Sequence, residues 1–84
     1  MAERIVAADT DLALKPASLS HIEAASLPLV ALTSLQSLKL NNVSTGHKVM
    51  VVGASGACGL LGIQLARALV GPHGKVAAIC GTIL

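Results

Sequence analysis

The pattern of apolar and polar positions divides the chain into a helical first half and a strand–helix–strand second half. Ser20 and Glu23 have the spacing of a capping box, which predicts a short helix that ends before Pro28. A second helix is predicted from Leu29 to Leu40, because leucines recur there at every third position with serine and glutamine between them. We expect these leucines to form one core face.

Two short apolar runs in the second half predict buried strands of a parallel sheet. Residues 48–52 are apolar almost throughout, as in a strand that is covered on both faces, and residues 75–80 repeat the pattern. A leucine-rich helix is predicted over residues 60–69, and the glycines and proline of residues 71–74 end it. The predicted fold class is α/β: a helical lead-in followed by the first βαβ unit of a Rossmann-type parallel sheet, which is incomplete.

Composition and charge narrow the possible functions. Apolar types make up 54% of the chain and charged types 12%, so it is too hydrophobic for a disordered tail. All four acids lie in residues 1–23, whereas residues 24–84 carry four basic residues and no acid. These bases are too sparse, and too lacking in aromatic neighbours, for nucleic-acid binding. An acid-free second half suits an anionic small ligand.

The long uncharged stretch at residues 49–66 has the length of a membrane span. Its four glycines favour a strand, a turn and a helix instead, so no membrane span is expected. Cys58 and Cys80 lie in apolar surroundings and are predicted to be buried free thiols in a reducing compartment, which favours a cytoplasmic location. The three histidines are isolated along the chain, so no metal site is predicted.

Three glycines at three-residue spacing, Gly53, Gly56 and Gly59, form the motif that carries chemistry. Between a strand and a helix, such glycines allow a sharp turn and let a pyrophosphate approach the backbone. The amides around Gly56, Ala57 and Cys58 would then point at the anion, with the positive end of the helix dipole behind them. The alternative is a glycine turn that serves only close packing of helix and sheet. A phosphate-binding P-loop is excluded, because no Gly-Lys-Ser/Thr follows the glycines.

The residues after the second predicted strand indicate which dinucleotide is bound. A site that selects NAD usually has Asp or Glu about 20 residues beyond the glycines, where it holds the ribose hydroxyls. Here Gly81 and Thr82 occupy that region and no acid is present. Nothing repels a 2′-phosphate, and the Thr82 hydroxyl is a possible donor to it. This favours NADP(H), although no Arg or Lys is present to bind the phosphate.

Two sequence blocks occur in a distinctive order along nearly the whole chain. They are KP at 15–16 with SLSHIEAASLPLVALTSLQSL at 18–38, followed by GHKVMVVGASGACG at 46–59. In this order they resemble the middle of the medium-chain dehydrogenase/reductase superfamily, and most of all its zinc-independent, quinone-oxidoreductase-like branch. That branch usually has Gly-Val where this chain has Ala57-Cys58, and both residues here are small enough to keep the turn.

The resemblance implies a role for individual residues. Gly56, Ala57 and Cys58 would present amides to the pyrophosphate, and Thr33 would lie near the nicotinamide ribose. Gly81 and Thr82 would lie beside the adenosine 2′-phosphate. No catalytic residue is predicted, and the predicted cofactor-binding residues are Thr33, Gly53, Ser55, Gly56, Ala57, Cys58, Gly59, Gly81 and Thr82.

The resemblance further implies an NADP(H)-binding segment of an oxidoreductase that reduces quinones or α,β-unsaturated carbonyls by hydride transfer. Residues 1–17 would end a catalytic-domain segment and connector, and residues 18–84 would begin the dinucleotide-binding domain. We therefore expect a fragment that is inactive alone and meets its small-molecule substrate only in a complete enzyme. Two alternatives stay open: a non-catalytic chain that acts by associating with partner subunits, and a fragment of a short-chain-type reductase. Leucines left exposed would favour self-association.

Overall fold

The computed structural model describes residues 2–81 of the chain. A single 3-10 turn at Asp9–Asp11, which the sequence pattern did not predict, precedes the regular elements. In chain order these are α1 His21–Ala25, α2 Pro28–Leu40, β1 Lys48–Val52, α3 Ala57–Val70 and β2 Lys75–Ile79. Helices and a parallel strand pair in this order confirm the predicted α/β class.

Helix α1 begins with the predicted capping box. The Ser20 hydroxyl accepts a hydrogen bond from the Glu23 amide at 3.1 Å, and the Ser20 amide donates to the Glu23 carboxylate at 2.9 Å. Two amides that would otherwise lack a partner at the start of the helix are thereby satisfied. These bonds, the backbone one foremost, hold the pKa of the Glu23 carboxyl below its ordinary value.

Acidification should loosen the start of α1. Because the pKa of Glu23 is lower in the folded chain than in the unfolded chain, its carboxylate stabilises the folded state above the unfolded pKa. That contribution disappears as the pH falls through the folded pKa. Backbone ¹³C chemical shifts of α1, followed against pH by NMR, should move toward unfolded values in this range. Glu23→Gln should remove the dependence, and an identical pH profile in both chains would contradict the assignment.

The leucines of α2 do not form the single core face that was expected. Leu29 is 80% exposed, whereas Leu38 is half-buried. Their separation of nine positions, at about 100° per residue, places the two side chains on opposite sides of the helix. A repeat of three residues winds around a helix of 3.6 residues per turn, so only the carboxyl-terminal part of the stripe packs inward.

Strands β1 and β2 pair in parallel, from Lys48 opposite Lys75 to Val52 opposite Ile79. Helix α3 covers one face of this sheet, and the side chains on the other face, which include Met50, are exposed. The prediction that both faces are covered is therefore wrong for residues 2–81. The last strand ends at Ile79 and not at residue 80.

The packing centre lies where α2, α3 and β1 meet, and it consists of small side chains. Ser34 and Gly62 are buried there, and Ala66 and Val70 are buried further along α3. A Cβ atom at Gly62 would lie 3.7 Å from Val51 Cγ1 and 4.0 Å from the Ser34 hydroxyl, so the two helices and the strand approach closely. Within residues 2–81, none of the helices combines the length and apolarity that crossing a bilayer requires.

Candidate functional site

The glycine turn, residues 53–56, connects β1 to α3. Gly53 has φ +73°, a left-handed backbone conformation that favours glycine. The amides of Gly53 and Ala54 both donate to the Ile79 carbonyl, at 2.9 and 3.0 Å. These bonds attach the turn to the carboxyl end of β2. Within the turn, Ala54 is buried and Ser55 is exposed.

Gly59 is required by the packing of α3 against this turn. A Cβ atom at position 59 would lie 2.2 Å from the Gly53 carbonyl oxygen and 2.7 Å from Ala54 Cα. Both are backbone atoms, which cannot move aside as a side chain does. The helix begins at Ala57, three residues earlier than the leucine pattern predicted, so Gly59 belongs to its first turn.

Gly56 differs, because the chain's own packing does not require a glycine there. Its φ of −76° is available to any residue, and a Cβ atom would lie 3.4 Å from the Gly53 carbonyl oxygen. This distance is the shortest that still counts as an ordinary van der Waals contact. The missing side chain therefore leaves space in front of the helix rather than relieving a clash.

The first turn of α3, which follows Gly56 directly, contains backbone N–H groups that are free to donate hydrogen bonds. The first helical hydrogen bond runs from the Leu60 amide to the Gly56 carbonyl, at 2.8 Å. The preceding amides, of Ala57, Cys58 and Gly59, have no backbone acceptor among the described residues, and Gly56 supplies no capping side chain. Three N–H groups thus lie at the positive end of a 14-residue helix, an arrangement that favours anion binding.

A groove of 280 Å³ brings α2 to this turn. Thr33 of α2, Val52 at the end of β1, and Cys58 and Gly59 of α3 all contribute to its lining. The Thr33 hydroxyl donates to the Leu29 carbonyl at 2.8 Å. The carboxyl ends of parallel strands lie at the same end of a sheet, so Cys80 and Gly81, which follow β2, lie at the end that carries the glycine turn.

Of the two residues predicted beside the 2′-phosphate, Gly81 follows β2 at this edge and is exposed. Thr82 lies outside the described residues. The prediction that both cysteines are buried is wrong: Cys58, in the first turn of α3, and Cys80, just beyond β2, are free and exposed. Residues 2–81 contain no cluster of three or more His, Cys, Asp or Glu side chains suited to a metal ion.

Ser34 supports the site, and sequence reasoning missed it. Its hydroxyl, in a side chain that is 7% exposed, donates to the Cys58 carbonyl at 2.7 Å and so connects α2 to the first turn of α3. A single serine among leucines does not by itself indicate a hydrogen bond to another helix. The glycines at 59 and 62 were the available hint, since they allow a facing helix to approach.

Ser34→Ala should destabilise the chain by about 1 kcal/mol, because the bond to the Cys58 carbonyl is lost from a buried position. Ser37→Ala is the matched control, since the Ser37 hydroxyl is exposed and donates within α2, to the Thr33 carbonyl at 2.9 Å. We expect the control to change stability by less than about 0.5 kcal/mol. Urea unfolding followed by circular dichroism measures both, and equal effects would contradict the linking role of Ser34.

Comparison with known proteins defines the class to which this fold belongs. No family model matches the chain, but individual proteins do. It is 40% identical to 2-methylene-furan-3-one reductase of Solanum lycopersicum and 37% identical to the chloroplastic NADPH-dependent alkenal/one oxidoreductase of Arabidopsis thaliana. Each alignment covers 98% of this chain and 21% of the relative.

A solved structure has the same fold over most of this chain. The quinone oxidoreductase of Thermus thermophilus, also solved in complex with NADPH, superimposes with a TM-score of 0.70 at 37% identity. The superposition covers 80% of this chain and 22% of that one. The fold is therefore a Rossmann-type α/β segment, as predicted.

The chain belongs to the medium-chain dehydrogenase/reductase superfamily, and the relatives it matches there are quinone and alkenal oxidoreductases and enoyl reductases. This assignment favours the medium-chain family over the short-chain alternative. The chain spans about a fifth of the length of the relatives it matches.

Proposed function

We propose that the glycine turn binds the pyrophosphate of a nicotinamide dinucleotide. This rests on the amides of Ala57, Cys58 and Gly59, which have no backbone acceptor among residues 2–81 and directly follow Gly56, where the lack of a side chain leaves space. A turn built only for packing needs Gly53 and Gly59 but has no need of a third glycine at 56. A diphosphate has the charge and the acceptor oxygens to satisfy these donors.

The dinucleotide in this proposal is NADP(H). Gly81 follows β2 beside the turn, and the chain from residue 24 onward contains no carboxylate to hold the ribose hydroxyls of NAD or to repel a 2′-phosphate. The named NADPH dependence of the Arabidopsis relative and the NADPH complex of the Thermus enzyme support the same choice. Thr82 remains the proposed hydroxyl donor to that phosphate.

In a complete oxidoreductase, this segment would position the cofactor for reduction of a quinone or an α,β-unsaturated carbonyl. When bound, NADPH supplies the hydride. Residues 53–59 would hold its diphosphate, and Thr33, on the same groove, would lie near the nicotinamide ribose. Contacts to the substrate would come from outside this chain. A cytoplasmic location stays a prediction, because the Arabidopsis relative is chloroplastic.

Titration of the chain into NADPH, followed by nucleotide fluorescence, tests this proposal. The chain has no Trp or Tyr, so no protein emission overlaps the signal. We expect saturable enhancement with NADPH and a weaker response with NADH. Tighter binding of NADH would overturn the choice of NADP(H). A lack of saturation with both nucleotides would favour the alternative of a non-binding chain that acts by association.

A further inference from the structure

Ser34 differs from the other hydroxyl side chains of α2 in where its hydrogen bond goes. The hydroxyls of Thr33 and Ser37 each donate to the carbonyl four positions earlier in the same helix, at 2.8 and 2.9 Å. Serine and threonine commonly satisfy their hydroxyls in this way. The Ser34 hydroxyl instead donates to the Cys58 carbonyl of α3, at 2.7 Å, from a side chain that is 7% exposed.

The peptide group that accepts this bond also contains one of the amides that lack a backbone acceptor. The Cys58 carbonyl and the Gly59 N–H belong to the same peptide unit, which is trans. In a trans peptide the carbonyl and the N–H point in opposite directions. The Gly59 N–H therefore points away from Ser34 and toward the start of α3, where it has no backbone acceptor among residues 2–81.

The bond from Ser34 has two effects on the Gly59 N–H. Because hydrogen bonds in a chain polarise one another, a donor on the carbonyl makes the N–H of the same peptide a stronger donor. The effect is greater away from water, and the Ser34 side chain is buried. The bond also fixes the direction of this peptide, because α2 holds the hydroxyl and α3 holds the carbonyl. Both effects favour an external acceptor at the Gly59 N–H.

We propose that Ser34 is a positioning residue for the cofactor, whose bond to the Cys58 carbonyl holds and polarises the Gly59 N–H for the diphosphate of NADP(H). This inference rests on the proposed function, because it needs a diphosphate at the start of α3. Thr33, the neighbour of Ser34 in sequence, lines the same groove. Helix α2 would thus contribute one residue near the nicotinamide ribose and one that acts on the diphosphate through α3.

NADPH titrations of the full 84-residue chain and of its Ser34 variants, followed by nucleotide fluorescence, test this role. We expect Ser34→Ala to raise the dissociation constant about threefold or more. Ser34→Thr keeps the hydroxyl and should bind nearly as the parent chain does. Ala66→Gly is the matched control, since Ala66 is buried further along α3 and glycine inside a helix also lowers stability. The control should leave the dissociation constant unchanged.

The ¹⁵N–¹H spectrum of each variant without nucleotide gives a readout that a mere loss of stability does not move. Removal of the Ser34 hydroxyl should shift the Gly59 amide resonance more than those of Ala57 and Cys58. Ala66→Gly should leave all three in place. Circular dichroism checks that each variant is folded. If Ser34→Ala does not fold, Ser34→Cys replaces it, because a thiol fills nearly the same space and is a weak donor.

The outcomes separate the role of Ser34 from the proposed function. An unchanged dissociation constant in Ser34→Ala, with saturable binding by the parent chain, would overturn the role of Ser34 and leave the proposed function standing. Equal weakening in Ala66→Gly or in folded Ser34→Thr would also overturn it, because the effect would then not follow the hydroxyl. If the parent chain shows no saturable binding of NADPH, the proposed function itself fails, and this inference fails with it.

Discussion

Gly59→Ala should unfold the strand–helix–strand unit, although the same substitution stabilises an ordinary helix by up to about 1 kcal/mol. The added Cβ atom would lie 2.2 Å from the Gly53 carbonyl oxygen, and the obstructing atoms are backbone. Relief requires α3 to move off the glycine turn, which breaks its packing on β1. We expect a loss above the roughly 1–3 kcal/mol of ordinary overpacking.

Gly62→Ala is the matched control for this substitution, because Gly62 lies in the same helix one turn further on and is buried. Its added Cβ atom would make ordinary contacts of 3.7 Å with Val51 and 4.0 Å with Ser34. We expect the control to be neutral or more stable than the parent chain. Urea unfolding followed by circular dichroism measures both, and equal midpoints for the parent chain and Gly59→Ala would contradict the close approach.

Gly56→Ala should leave the fold intact and abolish most nucleotide affinity. Its Cβ atom makes an ordinary contact with Gly53, so the chain tolerates it. It would, however, occupy the space in front of the amides of Ala57 and Cys58. Loss of one charge-assisted hydrogen bond costs about 1.5–3 kcal/mol, so we expect NADPH binding to weaken about ten- to a hundredfold.

Both the unfolding midpoint and the NADPH dissociation constant should be measured for Gly56→Ala. We expect the midpoint to stay unchanged and the dissociation constant to rise. Gly62→Ala, whose added atom is buried away from the turn, should bind NADPH as the parent chain does. If Gly56→Ala binds NADPH with unchanged affinity, the open space at position 56 is not used by the cofactor. The glycine turn would then serve packing alone.

Features that depend on neighbouring residues could be predicted from the sequence. The capping box of Ser20 and Glu23 forms because both partners lie within one turn of helix. The strand–turn–helix order around Gly53 follows from an apolar run, glycines and a leucine repeat in immediate succession. The anion site suggested by the glycine spacing stays a prediction, and the sequence pattern did not distinguish the steric need at Gly59 from the open space at Gly56.

Features that depend on distant parts of the chain were missed or wrongly predicted. An apolar strand predicts burial, but Met50 is exposed because no described element covers that side of the sheet. Cys58 was expected to be buried from residue type, whereas its place in the first turn of α3 exposes it. The bond from Ser34 to the Cys58 carbonyl joins residues 24 positions apart, and no local pattern reports such a contact.

We propose that the amides opening α3 bind the diphosphate, and ¹⁵N–¹H NMR of the chain during NADPH addition tests this claim most directly. We predict saturable shifts of the Ala57, Cys58 and Gly59 amide resonances. The Glu23 amide is the internal control, because the Ser20 hydroxyl already satisfies it at the start of α1, and it should not move. Saturable shifts elsewhere, with the three α3 amides unchanged, would contradict the claim.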